Sequence, residues 1–397
     1  MNPSIHNLYQ IAQKEQRLII GLMSGTSLDG LDVALCQFAG SGQNTTVKLL
    51  EFETVDFTEE IKQEIRKVFA KQSIDFPLLC MLNPWIGQLH GRLVNHCLKK
   101  WGIPSSKIDL IASHGQTVMH MPKRLHKNNT FPNSTLQIGD ADHLAVETKI
   151  ITLSDFRQKH CAVGGEGAPL ALYGDYLLFS SPEENRILIN IGGIANFTFL
   201  PSSGNFEHVF ATDTGPGNTL IDAFMQKHFG KAYDENADTA KKGQLIPELF
   251  ERLLDHPYFA EAVPKTTGPE LFNLDFLQNA TNSLKKPIKK EDILYTLCHF
   301  TATTLTNQIR NSVKLDASTC VYLSGGGMHN PLLVTLIRQF LPDTAVKNMN
   351  ELGISGDAKE AVLFATLANE TVAGETGFLS PRSEKESFFM GKISLPR

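Results

Sequence analysis

The first apolar run, Arg17 to Met23, ends in the small-residue stretch Ser24-Gly25-Thr26-Ser27-Leu28-Asp29-Gly30 and is followed by a second run, Val33 to Phe38. This pattern predicts strand, tight turn, strand. A third strand is expected over Val47 to Val55. A helix is expected over Thr58 to Ala70, where Ile61, Ile65, Val68 and Phe69 recur at helical spacing. The next, Leu78 to Trp101, gathers Leu82, Ile86, Leu89, Leu93, Cys97 and Leu98 on one face suited to packing on a sheet. Ile108 to Ser113 reads as a buried strand delivering His114-Gly115-Gln116 at its C-terminal end, where open α/β sheets carry ligand loops. Met121 to Ser134, rich in Lys, His, Asn and Pro, reads as a mobile surface loop.

A second cycle repeats the first. Arg186 to Ile191 predicts a strand that turns at Gly192-Gly193 and returns over Ala195 to Leu200. His208 to Ala211 leads into Asp213-Thr-Gly-Pro-Gly-Asn218 and an amphipathic helix burying Leu220, Ile221, Phe224 and Phe229. Helices over Lys289 to Val313, Pro331 to Phe340 and Ala358 to Ala373 then alternate with a strand at Thr319 to Leu323 and a turn at Gly325-Gly326-Gly327. The economical reading is a duplicated, doubly wound α/β chain. Its division is expected between Thr148 and Ala168, giving an N-terminal domain over 1–150 and a C-terminal domain over 151–397, whose last helix is free to cross back.

A length of 397 residues, with 42% hydrophobic and 20% charged residues, suits two globular domains and excludes disordered, collagenous and coiled-coil chains. A net charge of -5 gives no basic field for a nucleic acid. The six cysteines are scattered singly, as in a reduced cytoplasmic protein. Residues 1–16 do not read as a signal peptide, and no apolar run approaches membrane length, so no membrane partner is expected. Lys99-Lys100, Lys285-Lys286 and Lys289-Lys290 read as solvated faces.

Chemistry concentrates at the glycine turns. Glycine lets backbone N–H groups converge on an anion, and Thr or Ser adds donors without bulk, so Gly25 to Gly30 suits phosphate oxygens or forms an ordinary hairpin. It is not a Walker A loop, because Leu31-Asp32 stands where Lys and Ser or Thr are needed. Gly192-Gly193 and Asp213 to Asn218 follow the same logic, the latter at a helix N-terminus. Asp213 beside an anion suits a base or a ligand of metal-bound water, or is simply a turn residue before the helix. Gly325 to Gly327 either admit a flat purine or make a strand-to-helix turn. Neither cluster completes G-x-G-x-x-G, His114, His120 and His126 lack metal-site spacing, and hydrolase motifs are missing.

Taken in order, Gly21-Leu-Met-Ser-Gly-Thr-Ser-Leu-Asp-Gly-Leu-Asp32, Ser113-His-Gly-Gln-Thr117, Leu136-Gln-Ile-Gly-Asp140, Asp155-Phe-Arg157, Gly164-Gly-Glu-Gly-Ala-Pro169, Asn190-Ile-Gly-Gly-Ile-Ala-Asn196, Asp213-Thr-Gly-Pro-Gly-Asn218, Pro264-Lys-Thr-Thr-Gly268 and Leu323-Ser-Gly-Gly-Gly327 closely resemble the anhydro-N-acetylmuramic acid kinase family. The resemblance runs from Leu18 to Leu367. It implies two duplicated actin-like, ribonuclease H-like domains around a nucleotide cleft. It also implies an ATP- and Mg²⁺-dependent enzyme of peptidoglycan recycling, which opens the 1,6-anhydro ring of 1,6-anhydro-N-acetylmuramic acid and phosphorylates O6.

Carried over by resemblance, Gly25, Thr26, Ser27, Leu28, Asp29, Gly30, Leu31 and Asp32 would hold ATP phosphates with Gly192 and Gly193, and Gly325, Gly326 and Gly327 would lie near adenosine. Asp213 would be the general base, and His114, Gln116 and Arg157 would face the amino sugar, Arg157 as a bidentate partner of its carboxylate. Two departures stand out. Met23 occupies a position where general actin-like ATPases carry an Asp. The muramate kinases share this change, which leaves the Mg²⁺ anchor open between Asp29, Asp32 and Asp213, with Asp29 and Asp32 acting through water. Glu166 stands where the family carries Gln, adding a negative charge expected to weaken binding of a carboxylated sugar. The competing expectations are an actin-fold kinase acting on a plain hydroxyl and a chaperone-type nucleotide switch. The short tail after Gly377 offers no peptide-binding domain for the latter, and a homodimer is left open.

Overall fold

A meander of three antiparallel strands followed by two parallel ones is built twice. The structure, a computed structural model, describes all residues except 1, 26, 27, 283, 285–287, 376, 381, 382 and 397. In the first unit β1 (Gln16–Ser24), β2 (Gly30–Ala39) and β3 (Thr46–Asp56) form the meander. β4 (Leu110–Met121) lies parallel to β1, β5 (Ser134–Ile138) folds back on β4, and β6 (Ile151–Ser154) lies parallel to β4. In the second unit β7 (Asn185–Ile191), β8 (Ile194–Leu200) and β9 (Phe210–Pro216) form the meander, with β10 (Thr319–Ser324) parallel to β7 and β11 (Ala345–Asn348) parallel to β10. The orders β3-β2-β1-β4-β6 and β9-β8-β7-β10-β11 match strand for strand. This is the duplicated ribonuclease H-like plan of the actin-like α/β proteins.

Parallel neighbours need crossover helices. Between β3 and β4 helix Phe76–Trp101 supplies one, starting where Asp75 accepts the Leu78 N–H and ending at left-handed Gly102. Its Leu82, Ile86, Leu89, Cys97 and Leu98 share a core with Ile20, Leu22, Val33 and Ile111 of the sheet. Because strand side chains alternate, Ile19 and Gly21 face the other way. There helix Lys359–Ala373 packs on β1, β2 and β4 although it follows β11 in sequence. In the second unit helix Lys290–Ser312 sets Leu294, Leu297, Phe300 and Leu305 among Ile187, Ile189 and Phe197.

By contacts, residues 1–178 with 353–397 make one compact unit and 179–352 the other. The first unit runs past the 150/151 division expected from sequence, because Phe156 packs on Phe364 and Gly174 admits Leu363 closely. β2 starts at Gly30 rather than Val33, since Leu31 is fully buried. The helix expected over Thr58 to Ala70 spans Glu59–Arg66, and Ala70 has φ +54°. β4 does not end before His114-Gly115-Gln116 but runs through them, because from Gln116 onward β5 takes over as its partner. The short tail after Gly377 holds the paired strands Phe378–Ser380 and Ser383–Phe388, and strand Lys392–Ser394 pairs with β6. Among the described residues no helix is long and apolar enough to cross a membrane.

Gly21 is required by close approach: a Cβ there would stand 1.8 Å from the carbonyl oxygen of Ala361. Gly21→Ala should therefore destabilise the protein by about 1–3 kcal/mol, read from the urea midpoint. Ala361→Gly should not restore it, because the obstructing atom is backbone.

Candidate active site

In the second unit three glycine turns separated in sequence meet at the end of β7. The carbonyl of Gly193 accepts the N–H groups of Gly217 (2.8 Å) and Thr219 (3.2 Å), and that of Gly192 accepts Asn218 N–H (2.8 Å). Asn218 Nδ2 donates to Ile191 O at 3.2 Å. Gly325, at φ +77°, and Gly327 both press on Ile191, where any Cβ would collide. The amides of Gly217, Asn218 and Thr219 leading into the helix are thus engaged. The amides of Gly192 and Gly193 instead have no partner among the described residues, and a loop that turns its carbonyls to a helix while keeping its amides free is an anion receptor. Gly326 is exposed beside it.

Asp213 lies within β9, not in the turn before the helix. Its Oδ2 accepts the Thr267 N–H at 2.9 Å, and its own N–H donates to Lys265 O at 3.0 Å. Oδ1 has no partner among the described residues. Burial raises its carboxyl above the ordinary range, with the Thr267 bond pulling the other way. Lys265 is buried, with Nζ donating to Tyr258 O (2.8 Å) and lying 4.4 Å from the Tyr258 ring, so it anchors the segment that carries Thr267. Sequence reasoning quoted Pro264 to Gly268 but gave it no role; the spacing of over fifty residues between Asp213 and Thr267 leaves no local signal.

In the first unit the turn after β1 is held by a side chain from β4. Gln116, fully buried, accepts from Ser24 Oγ at 2.6 Å and donates to Gly25 O at 3.1 Å. It therefore grips the loop. Thr26 and Ser27 lie outside the described residues. Leu28 (φ +61°) and Leu31 are buried in the core, and Gly30 pairs with Asp56 in the sheet, so these contribute backbone alone. Asp29 is exposed, and its carbonyl accepts the Phe57 N–H at 2.9 Å. Asp32 accepts from Thr54 Oγ1 at 2.6 Å, and its carboxyl is raised by burial and by the charges of Asp357 and Asp29. Among the described residues no three His, Cys, Asp or Glu side chains group as a metal cage. Hard carboxylates in small number still suit Mg²⁺, which keeps most of its waters and leans on phosphate.

Arg157 donates its hydrogen bonds to neutral groups, and the Glu360 carboxylate acts on it by charge. Its Nε donates to His114 Nε2 at 2.7 Å and its Nη1 to Gly167 O at 2.8 Å. His114 Nδ1 lies 2.8 Å from Gly115 O, so Nδ1 carries the proton and Nε2 accepts. Burial and the guanidinium push the His114 imidazole down to about 3. Both its nitrogens are committed, whereas Arg157 Nη2 has no partner among the described residues. His160, lowered to about 4 by burial, accepts the Gly167 N–H at 3.0 Å and so fixes the carbonyl that Arg157 uses. Glu166 is met by Arg124 at 3.0 Å, which counters the extra charge expected there.

A family model for anhydro-N-acetylmuramic acid kinase matches residues 17–383. The chain is 53% identical to the anhydro-N-acetylmuramic acid kinase of Pseudoalteromonas atlantica, covering 100% of both chains. It is 40% identical to that of Clostridioides difficile over 94% of this chain and 97% of the other. Among solved structures it is similar to the activator of the 2-hydroxyisocaproyl-CoA dehydratase from Clostridium difficile with bound ADPNP. That likeness has 13% identity and a TM-score of 0.43, and covers 89% of this chain and 95% of the other.

Gln116→Leu keeps the volume and removes both bonds to the loop, so the KM for ATP should rise about tenfold, as expected for losing one or two buried hydrogen bonds. Steady-state kinetics at saturating sugar reads this directly.

Acid should also weaken the fold. His90 is fully buried, its ring nitrogens have no partner among the described residues, and burial lowers it to about 4. A histidine whose native pKa lies below its unfolded value stabilises fully above that value and loses stability as pH falls toward the native one. His90, His114 and His160 should thus each cost up to about 2 kcal/mol between pH 6.5 and 5. Urea midpoints at pH 7 and 5 check this, and His90→Phe should shrink the difference.

Proposed function

The chain belongs to the anhydro-N-acetylmuramic acid kinase family, and on that premise we propose how its residues carry out the family's reaction. ATP and water convert 1,6-anhydro-N-acetylmuramic acid into N-acetylmuramic acid 6-phosphate and ADP, a step in recycling cell-wall peptidoglycan. Asp213 takes a proton from water as the water oxygen attacks C1. The C1–O6 bond breaks, its electron pair stays on O6, and O6 attacks the γ-phosphorus as ADP departs. An ether oxygen is a poor leaving group, and phosphorylating it as it leaves removes the need for a strong acid.

One observation carries this reading: Asp213 is oriented through Oδ2 by Thr267 at 2.9 Å while Oδ1 stays open, and burial raises its proton affinity. A base must be both fixed and unsatisfied, and this carboxylate is both. The free amides of Gly192 and Gly193 take phosphate oxygens. In the first unit Gln116 fixes Ser24 and the Gly25 carbonyl, at the start of the stretch to Asp32 that suits phosphate oxygens. Gly325 to Gly327 lie along adenosine. Arg157 meets the lactyl carboxylate through Nη2, because its other two nitrogens are engaged. Asp29 and Asp32 would hold Mg²⁺ through its water, and the ion, when bound, spreads the charge developing on the phosphates. Dependence on ATP suits a cytoplasmic enzyme.

Turnover in ¹⁸O-water, followed by mass analysis, should place one solvent oxygen at C1 of the phosphorylated sugar. A product without it would mean that a plain hydroxyl is the acceptor. Asp213→Asn should lower kcat by more than about 10³-fold with little change in the KM for ATP. Near-wild-type turnover would remove Asp213 from the base role. The rate should fall as pH drops through the raised Asp213 pKa, since the base must be ionised.

A further inference from the structure

Beside the glycine turns the second unit holds a cavity of about 460 Å³, lined by residues that include Asn218, Asp222, Tyr233, Asp234, Glu235 and Gly326. Its lining has three carboxylates and neither lysine nor arginine. Such walls repel phosphate and suit an uncharged ligand portion rich in O–H and N–H donors. The carboxylates are not equivalent. Asp234 is buried and used, its oxygens accepting Thr239 N–H (2.9 Å) and Ala240 N–H (2.8 Å). Glu235 is exposed to solvent.

Asp222 differs from both. It is half-buried, its carboxylate has no hydrogen-bond partner among the described residues, and burial raises the carboxyl to about 6. A drying carboxylate without donors is unfavourable until a ligand supplies them. Asp222 lies four residues beyond Asn218, the residue that opens helix Thr219–Phe229, which places it about 6 Å along the axis from the anion-receiving turn. That is the step from a nucleotide's phosphates to the hydroxyls of its sugar. Gly326, exposed and without a side chain, leaves the far side open to a flat base.

We propose that Asp222 accepts hydrogen bonds from the vicinal ribose hydroxyls of the nucleotide and so selects ribonucleotides over deoxyribonucleotides. This rests on the reading of ATP at the glycine turns. The test compares KM for ATP, 2′-deoxy-ATP and 3′-deoxy-ATP in the wild-type enzyme and in Asp222→Asn, with binding of ADP to the wild type measured by calorimetry. At least one deoxy analogue should show a KM about tenfold or more above that of ATP in the wild type, and Asp222→Asn should cut that ratio to about threefold or less. Equal KM values for all three nucleotides in the wild type would overturn the assignment. So would an unchanged ratio in Asp222→Asn. Thermal midpoints establish that the variant is folded, and the wild-type comparison stands without it. Failure of the wild type to bind ADP would instead sink the reading of ATP at the turns.

Discussion

The ligand end of the second unit depends on two carbonyl groups. Gly192 and Gly193 direct theirs into the start of helix Thr219–Phe229, where the amides of Gly217, Asn218 and Thr219 accept no other role. A peptide plane that turns its oxygen one way turns its N–H the other, so the turn's own amides remain unsatisfied and in one direction. The contact needs glycine at 217: a Cβ on Gly217 would stand 2.3 Å from Gly192 O. Asp213 before this junction and Asp222 after it are placed by the strand and helix that the junction ties together.

The first unit meets the same demand by another route. At the end of β1 a buried amide side chain from the neighbouring strand accepts from Ser24 Oγ and donates to the Gly25 carbonyl. Gln116 can do this because β4 continues beyond its pairing with β6, which ends at Ala112, and stays paired with β1 as far as Ser24 opposite Gln116. Around Arg157 the hydrogen-bonding groups are a neutral imidazole and a carbonyl, while Glu360 acts on the guanidinium by charge.

Much of this was legible in the sequence, for local reasons. Alternating apolar runs broken by glycine clusters announce strand and turn whatever surrounds them, and both meanders and the helix over Pro331 to Phe340 follow. What sequence misplaced depends on distant partners. His114 to Gln116 looked like a strand end because the partner that prolongs β4 begins eighteen residues later, in β5. Strand Lys392–Ser394 has almost no apolar signal and exists because β6 offers it an edge. Asp213 was recognisable beside glycines, whereas Thr267, which fixes its orientation, was only one threonine in a quoted motif. Asp222, an acid in a first helical turn, carries no local signal that sets it apart.

The chain order of the packing partners has a further effect during synthesis. The second unit is continuous, residues 179–352, and holds every strand of its sheet within that stretch. The first unit lacks one cover of its sheet until helix Lys359–Ala373 exists, and lacks the neighbour of β6 until Lys392–Ser394 exists. The portion translated first is therefore the last to be completed, and it waits with the apolar back of β1 uncovered while the later portion folds beside the ribosome.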